Sequence, residues 1–160
     1  MTQLFSKLIQ KPNVGCENEP FQEYFKTQLP NDTTKLFVED GNTKSDIVML
    51  YAQGGPMPTL DFTFIKDSTL NEFPSAKKYK RVYVHQSQTY NNSIVNSGAK
   101  FSFSNAKHEG NISAEILYRT IDYFKKQKKK VIVIGHSFGA FVIPNYLALK
   151  PNIADKIIIM

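Results

Sequence analysis

The stretch from Lys130 to Pro144, KVIVIGHSFGAFVIP, constrains the fold of this chain more than any other. Val131 to Ile134 are four consecutive β-branched residues with no polar face. That pattern fits a strand covered on both sides, as in a parallel sheet. The strand stops on Gly135-His136-Ser137-Phe138-Gly139, and an apolar helix is expected from Ser137 to about Leu149. Gly-x-Ser-x-Gly between a strand and a helix has a chemical logic. A serine nucleophile at the tip of such a turn needs a strained backbone that projects its hydroxyl away from the sheet. Gly135 and Gly139 leave room where side chains would strike the neighbouring strand and helix. The helix that follows turns its free N–H groups and positive dipole end toward the same point, where an oxyanion would form. The competing reading is a glycine-flanked serine in an ordinary strand-to-helix turn.

The rest of the chain supplies matching elements. Lys35 to Glu39 reads as a short strand, Asp40-Gly41-Asn42 as a turn, and Asp46 to Ala52 as a nearly continuous apolar strand broken by Gln53-Gly54-Gly55-Pro56. Tyr79 to His85 is a further strand, and Gln86 to Gly110 reads as a polar loop. Asn111 or Ser113 is expected to cap a helix with apolar positions Ile112, Ile116, Leu117, Ile121 and Phe124. A last strand runs from Ile157 to Met160. Short helices are expected from Asn18 to Leu29 and from 62 to 73. Pro144 lies inside the helix after the serine, where it removes a backbone hydrogen bond and is expected to kink it. Alternating strands and helices predict an α/β fold: a mostly parallel sheet with helices on both faces. Residues 1–34 read as a lead-in and 35–160 as the core domain.

Composition bounds the function. The chain has 160 residues, 41% of them hydrophobic, and carries a net charge of +6. No apolar run reaches bilayer length, so no transmembrane segment is expected. The basic run Lys125 to Lys130, KKQKKK, falls where a helix should end, and lysines there favour the negative end of the helix dipole. No nucleic-acid partner is expected, although binding of an anionic surface through this run stands as a third reading. One cysteine makes no internal disulfide, and His85, His108 and His136 show no metal-ligand spacing, so neither metal nor cofactor is expected. The cytoplasm is the default location, with a lipoprotein as the alternative, because Val14-Gly15-Cys16 looks like the end of a lipoprotein cleavage site.

The stretch GHSFGAFVIPNYLALKPNIADKIIIM resembles the central segment of the α/β-hydrolase superfamily. LFVEDGNTKSDIVMLYAQGGP resembles the hairpin and third strand of that family, ending in a Gly-Gly-Pro loop like that of proline iminopeptidases. The resemblance implies an α/β-hydrolase-like fold with Ser137 as nucleophile. It implies an oxyanion hole made of the Phe138 N–H and a backbone donor from Gln53, Gly54 and Gly55. His85 and His136 are possible lining residues, together with Gln53, which stands where the family often has histidine. A second departure is VHQSQTYN, which replaces an Asp-x-Arg-Gly pattern.

By the same resemblance the order along the chain is serine, acid, histidine. Those last two positions would fall after Met160, and Asp155 sits at the wrong end of its strand. The sequence therefore reads as a hydrolase core missing its C-terminal part. The expected function is hydrolysis of an ester, thioester or amide bond, in a small molecule or short peptide, through a Ser137 acyl-enzyme. The alternative is a non-catalytic binding protein of the same fold, or an inactive fragment.

Overall fold

The computed structural model describes residues 29–54, 74–87 and 103–160. The expected helices at 18–29 and 62–73, Gly55, Cys16 and most of the lead-in lie outside the described residues.

Among the described residues five strands form one sheet: β1 (Phe37–Gly41), β2 (Ile47–Ala52), β3 (Lys80–Val84), β4 (Lys130–Gly135) and β5 (Lys156–Ile159), in the order β1-β3-β2-β4-β5. β2, β3, β4 and β5 run parallel, and β1 pairs antiparallel with β3. The chain is thus α/β with a mixed, mostly parallel sheet. Asp40 and Gly41 belong to β1. The turn runs instead from Asn42 to Ser45, where the Ser45 N–H donates to the Asn42 carbonyl at 3.1 Å, and it does not close a hairpin. β3 lies between β1 and β2, with Phe37 opposite Val84 and Gly41 opposite Lys80.

Two long helices occur among the described residues, α1 (Phe103–Lys126) and α2 (Phe138–Leu149). Both pack on the same face of the sheet. Val48 and Leu50 of β2, Val82 and Val84 of β3, and Val131 and Val133 of β4 alternate onto that face. There they meet Ile112, Ile116, Leu117, Ile121 and Phe124 of α1, and Val142, Ile143 and Tyr146 of α2. The other face carries Tyr51, Tyr83 and Ile134, with the two tyrosine rings stacked at 5.4 Å. No described helix covers it, so helices on both faces are seen for one face only. Leu29 and Leu36, from either side of the expected 34/35 boundary, are both buried in the main core.

Helix α1 starts eight or more residues earlier than expected, inside the stretch read as a polar loop. Gly110 looks like a loop residue but lies within α1, facing Asn145 of α2. A Cβ there would lie 2.5 Å from Asn145 Nδ2. The helix ends in the lysine run, with Lys128 at φ 60° and the Lys129 N–H donating to the Phe124 carbonyl at 3.1 Å, a Schellman-type closure. Three lysines of the run hold carboxylates: Lys125 with Asp155, Lys126 with Asp122, and Lys129 with Asp46. Helix α2 continues through Pro144 to Leu149. No described helix is long and apolar enough to cross a membrane.

Candidate functional site

The register of the parallel strands decides which residues meet. Ala52 pairs with Val84 on one side and Gly135 on the other, so three adjacent strands end level. Their next residues, His85, Gln53 and His136, leave the sheet along one edge. β2 is followed in sequence by β3 on its one side, whereas β4 is followed by β5 on the other. The carboxyl ends of β2 and β4 therefore flank the point where the winding direction reverses, the crevice where open α/β sheets bind ligands.

Ser137 sits in that crevice, between β4 and α2. Its backbone has φ 51° and ψ −117°, outside the helical, extended and left-handed helical basins. Among the described residues only Lys128 joins it as a non-glycine at positive φ, and Lys128 closes a helix in the ordinary way. A residue held so far from its preferred angles costs on the order of 1–3 kcal/mol and persists only where its surroundings enforce it. The enforcement is visible. The His136 N–H donates to the Ala52 carbonyl at 3.2 Å, fixing the residue before Ser137 to the end of β2. The Gly139 and Ala140 N–H groups donate at 2.9 Å to the His136 and Ser137 carbonyls, tightening the turn.

Both flanking glycines are sterically required. A Cβ on Gly139 would overlap the Ala52 carbonyl, lying 2.5 Å from its carbon. One on Gly135 would lie 2.9 Å from the Gly139 carbonyl oxygen. Helix α2 therefore enters against bare backbone of β2 and β4.

The Ser137 side chain is exposed and makes no capping hydrogen bond with its own helix. With the next two N–H groups committed to the turn, the Phe138 N–H is the donor that α2 leaves without an acceptor among the described residues. The end of β2 comes up beside it, since a Cβ on Gly54 would stand 3.3 Å from both Ser137 Cβ and His136 Nδ1. Ser137, Phe138, His136 and the Gln53–Gly54 segment are thus brought together, and Gly55 lies outside the described residues.

His85 is placed differently. Its backbone N–H donates to the Leu36 carbonyl at 2.9 Å, and burial pushes its imidazole pKa down to about 4. With Gln53, Gln86, Ser113 and Gly139 it lines a cavity of about 10 Å³ beneath the turn, room for about one water. Among the described residues neither His85 nor His136 has a hydrogen bond to the Ser137 hydroxyl, and the side chain of His108 lies outside the described structure. Asp155 holds Lys125 and accepts from the Val131 N–H at 2.6 Å, which lowers its pKa. It ties the amino end of β4 to α1, at the edge opposite Ser137.

Sequence reasoning passed over one residue of this site. Gln86, read as the start of a loop, is buried, and its amide Nε2 donates to the Gln53 carbonyl at 3.0 Å and to the Gly54 carbonyl at 2.8 Å. Next to it, the Ser87 N–H donates to Ser113 Oγ at 3.1 Å and the Ser87 hydroxyl to the Glu109 carboxylate. The spacing carries a signal for the α1 partners of this corner, though none for Gln86 itself. Glu109, Ser113, Leu117 and Ile121 recur every four residues, so the two polar residues extend the buried stripe of α1.

No family model matches the chain, and searches of curated proteins and of solved structures likewise find no match.

Proposed function

We propose that this chain is a serine hydrolase of the α/β-hydrolase type, cleaving ester, thioester or amide bonds through an acyl-enzyme on Ser137. The observation that carries the reading is the conformation of Ser137, a non-glycine residue at φ 51° and ψ −117°, its hydroxyl exposed between two glycines that backbone contacts demand. An ordinary strand-to-helix turn has no need of such strain. Ser137 Oγ would attack the substrate carbonyl carbon while a general base takes the hydroxyl proton. The oxyanion would be met by the Phe138 N–H and a donor of the Gln53-Gly54-Gly55 loop. Collapse expels the alcohol, thiol or amine, and water then releases the acid from Ser137. No metal or cofactor enters this chemistry. Small esters, amides and short peptides are the substrate class.

A second reading, a binding protein on the same scaffold, is favoured by one observation. No described histidine engages the Ser137 hydroxyl, and burial leaves His85 a poor base near pH 7. Labelling with a fluorophosphonate probe separates the two. A hydrolase gains one adduct by intact mass and turns over p-nitrophenyl acetate, and both are lost in Ser137→Ala. A protein that takes no label, or whose label survives Ser137→Ala, is not the enzyme proposed.

A further inference from the structure

We infer that Gln86 is a positioning residue for the oxyanion loop, holding the Gln53–Gly54 segment at the height where its backbone can serve the reacting carbonyl. The inference rests on the reading of Ser137 as nucleophile and extends it to a side chain 51 positions upstream.

The geometry is specific. A side-chain amide carries two N–H donors, and here one amide nitrogen serves two successive carbonyls, Gln53 at 3.0 Å and Gly54 at 2.8 Å. In a trans peptide the carbonyl and the following N–H point in opposite directions. Drawing the Gln53 carbonyl to Gln86 therefore turns the Gly54 N–H away from Gln86. Two adjacent peptide planes are fixed at once, immediately after the last residue of β2. Among the described residues the sheet ladder ends at Ala52 and a glycine follows Gln53, so the ladder does not set the orientation of this segment.

Gln86 is itself held. Only 4% of its surface is exposed, it lies two residues after the end of β3, and the neighbouring Ser87 is bonded through both backbone and side chain to Ser113 and Glu109 of α1. Ser113 lies one turn before Leu117, deep in the core, so α1 acts as a rigid mount for the Gln86–Ser87 corner. A chain of bonds thus runs from α1 through that corner to the loop beside Ser137. No part of it touches the reacting atoms, which makes Gln86 a positioning residue and not a catalytic one. A buried polar network of this kind favours one arrangement of a loop that glycine would otherwise leave free.

The test compares wild type with Gln86→Met, which keeps length and bulk but removes the donor. The readout is p-nitrophenyl acetate turnover per serine titrated by the fluorophosphonate, so that loss of folded protein does not register. A loop displaced by about 1 Å lowers kcat by about 10²-fold. KM stays within about twofold, because the loss falls on the transition state and not on ground-state binding. Gln86→Asn retains the amide one methylene short and is expected to lose less. It also supplies the same comparison if Gln86→Met does not fold. Unchanged kcat per titrated serine in a folded variant overturns the inference, as does a rise in KM at constant kcat, which would make Gln86 part of a substrate pocket. Wild type that is inert toward both probe and ester would bring down the nucleophile reading itself and this inference with it.

Discussion

Substituting Gly139 by alanine tests the steric argument for the turn without reference to any activity. In an open helix position the exchange is favourable by about 1 kcal/mol, because alanine loses less conformational freedom than glycine. Gly139 is not open. Its added Cβ would stand 2.5 Å from the Ala52 carbonyl carbon and closer still to its oxygen. Carbon atoms in contact prefer about 3.5–4.0 Å, so α2 and β2 would have to part by about 1 Å. Neither partner is a side chain that can rotate away. The Ala52 carbonyl also accepts the His136 N–H, which the displacement would stretch beyond its present 3.2 Å. Overpacking of this kind costs about 3 kcal/mol when backbone must move, leaving a net loss of about 2 kcal/mol after the helix gain. With a urea slope of about 2 kcal/mol/M, the unfolding midpoint should drop by about 1 M. Two sister substitutions calibrate the result. A Cβ on Gly135 would meet Ile143 Cδ1, a side-chain end that can shift, at 2.4 Å and the Gly139 carbonyl oxygen at 2.9 Å, a smaller backbone intrusion, and Gly135→Ala should lose less. At Gly110 the obstruction is Asn145 Nδ2, the mobile end of a side chain, so Gly110→Ala should be neutral or stabilising. If Gly139→Ala proved as stable as Gly110→Ala, the claim that close backbone approach dictates this glycine would be refuted.

Two further outcomes follow from the site. Burial holds the His85 pKa at about 4 against an ordinary value of 6.5, so between those values the unfolded chain takes up a proton that the fold refuses. Stability is therefore full above about pH 6.5 and falls as the pH drops toward 4. Discounting for partial solvent access, the loss is about 1–2 kcal/mol, and urea titrations across this window should show it shrinking in His85→Gln. Ser137→Gly and Ser137→Ala lose the hydroxyl equally, but glycine also relieves the backbone. The glycine variant should be more stable by about 1 kcal/mol in thermal melts, and equal midpoints would show that Ser137 is unstrained.

The parts legible in the sequence are those set by near neighbours. β4 and α2 can be read because four β-branched residues, two glycines and an apolar helix lie in a single stretch, and each limits the next. β2 and β3 declare themselves in the same way. The pairing of β1 does not, because a turn signal reports only that the chain reverses, not which strand fills the space alongside. β3, about forty residues on, supplies better-matched partners, setting Phe37 against Val84 where Phe37 can also pack 5.1 Å from the Phe124 ring. The start of α1 was hidden by Gly110 and its polar neighbours, whose suitability for a helix depends on contact with Asn145 and Ser87. Gln86 was hidden for the same reason. Its hydrogen bonds span 32 and 33 positions, and no local pattern distinguishes a loop glutamine from one that anchors another loop.

What sets the Ser137 region apart is that its local costs converge without a structural return. Tight βα turns can be built with relaxed residues, and a helix can approach a sheet on alanine at modest separation. Here the chain adopts a strained serine, spends a second glycine on contact with the Ala52 carbonyl, and buries Gln86, Ser87, Glu109 and Ser113 behind it. A hydrophobic core in place of that polar cluster would be simpler to stabilise. Each feature serves one end when taken with the others. The glycines let the turn tighten, the tight turn lifts the hydroxyl out of the helix and leaves the Phe138 N–H beside it, and Gln86 fixes a second stretch of backbone alongside. All of this lies where the winding of the sheet reverses and opens a crevice. Strain is retained where the surroundings hold it and something requires it, and the acyl transfer proposed above would use every part of the arrangement, an exposed serine beside oriented backbone donors.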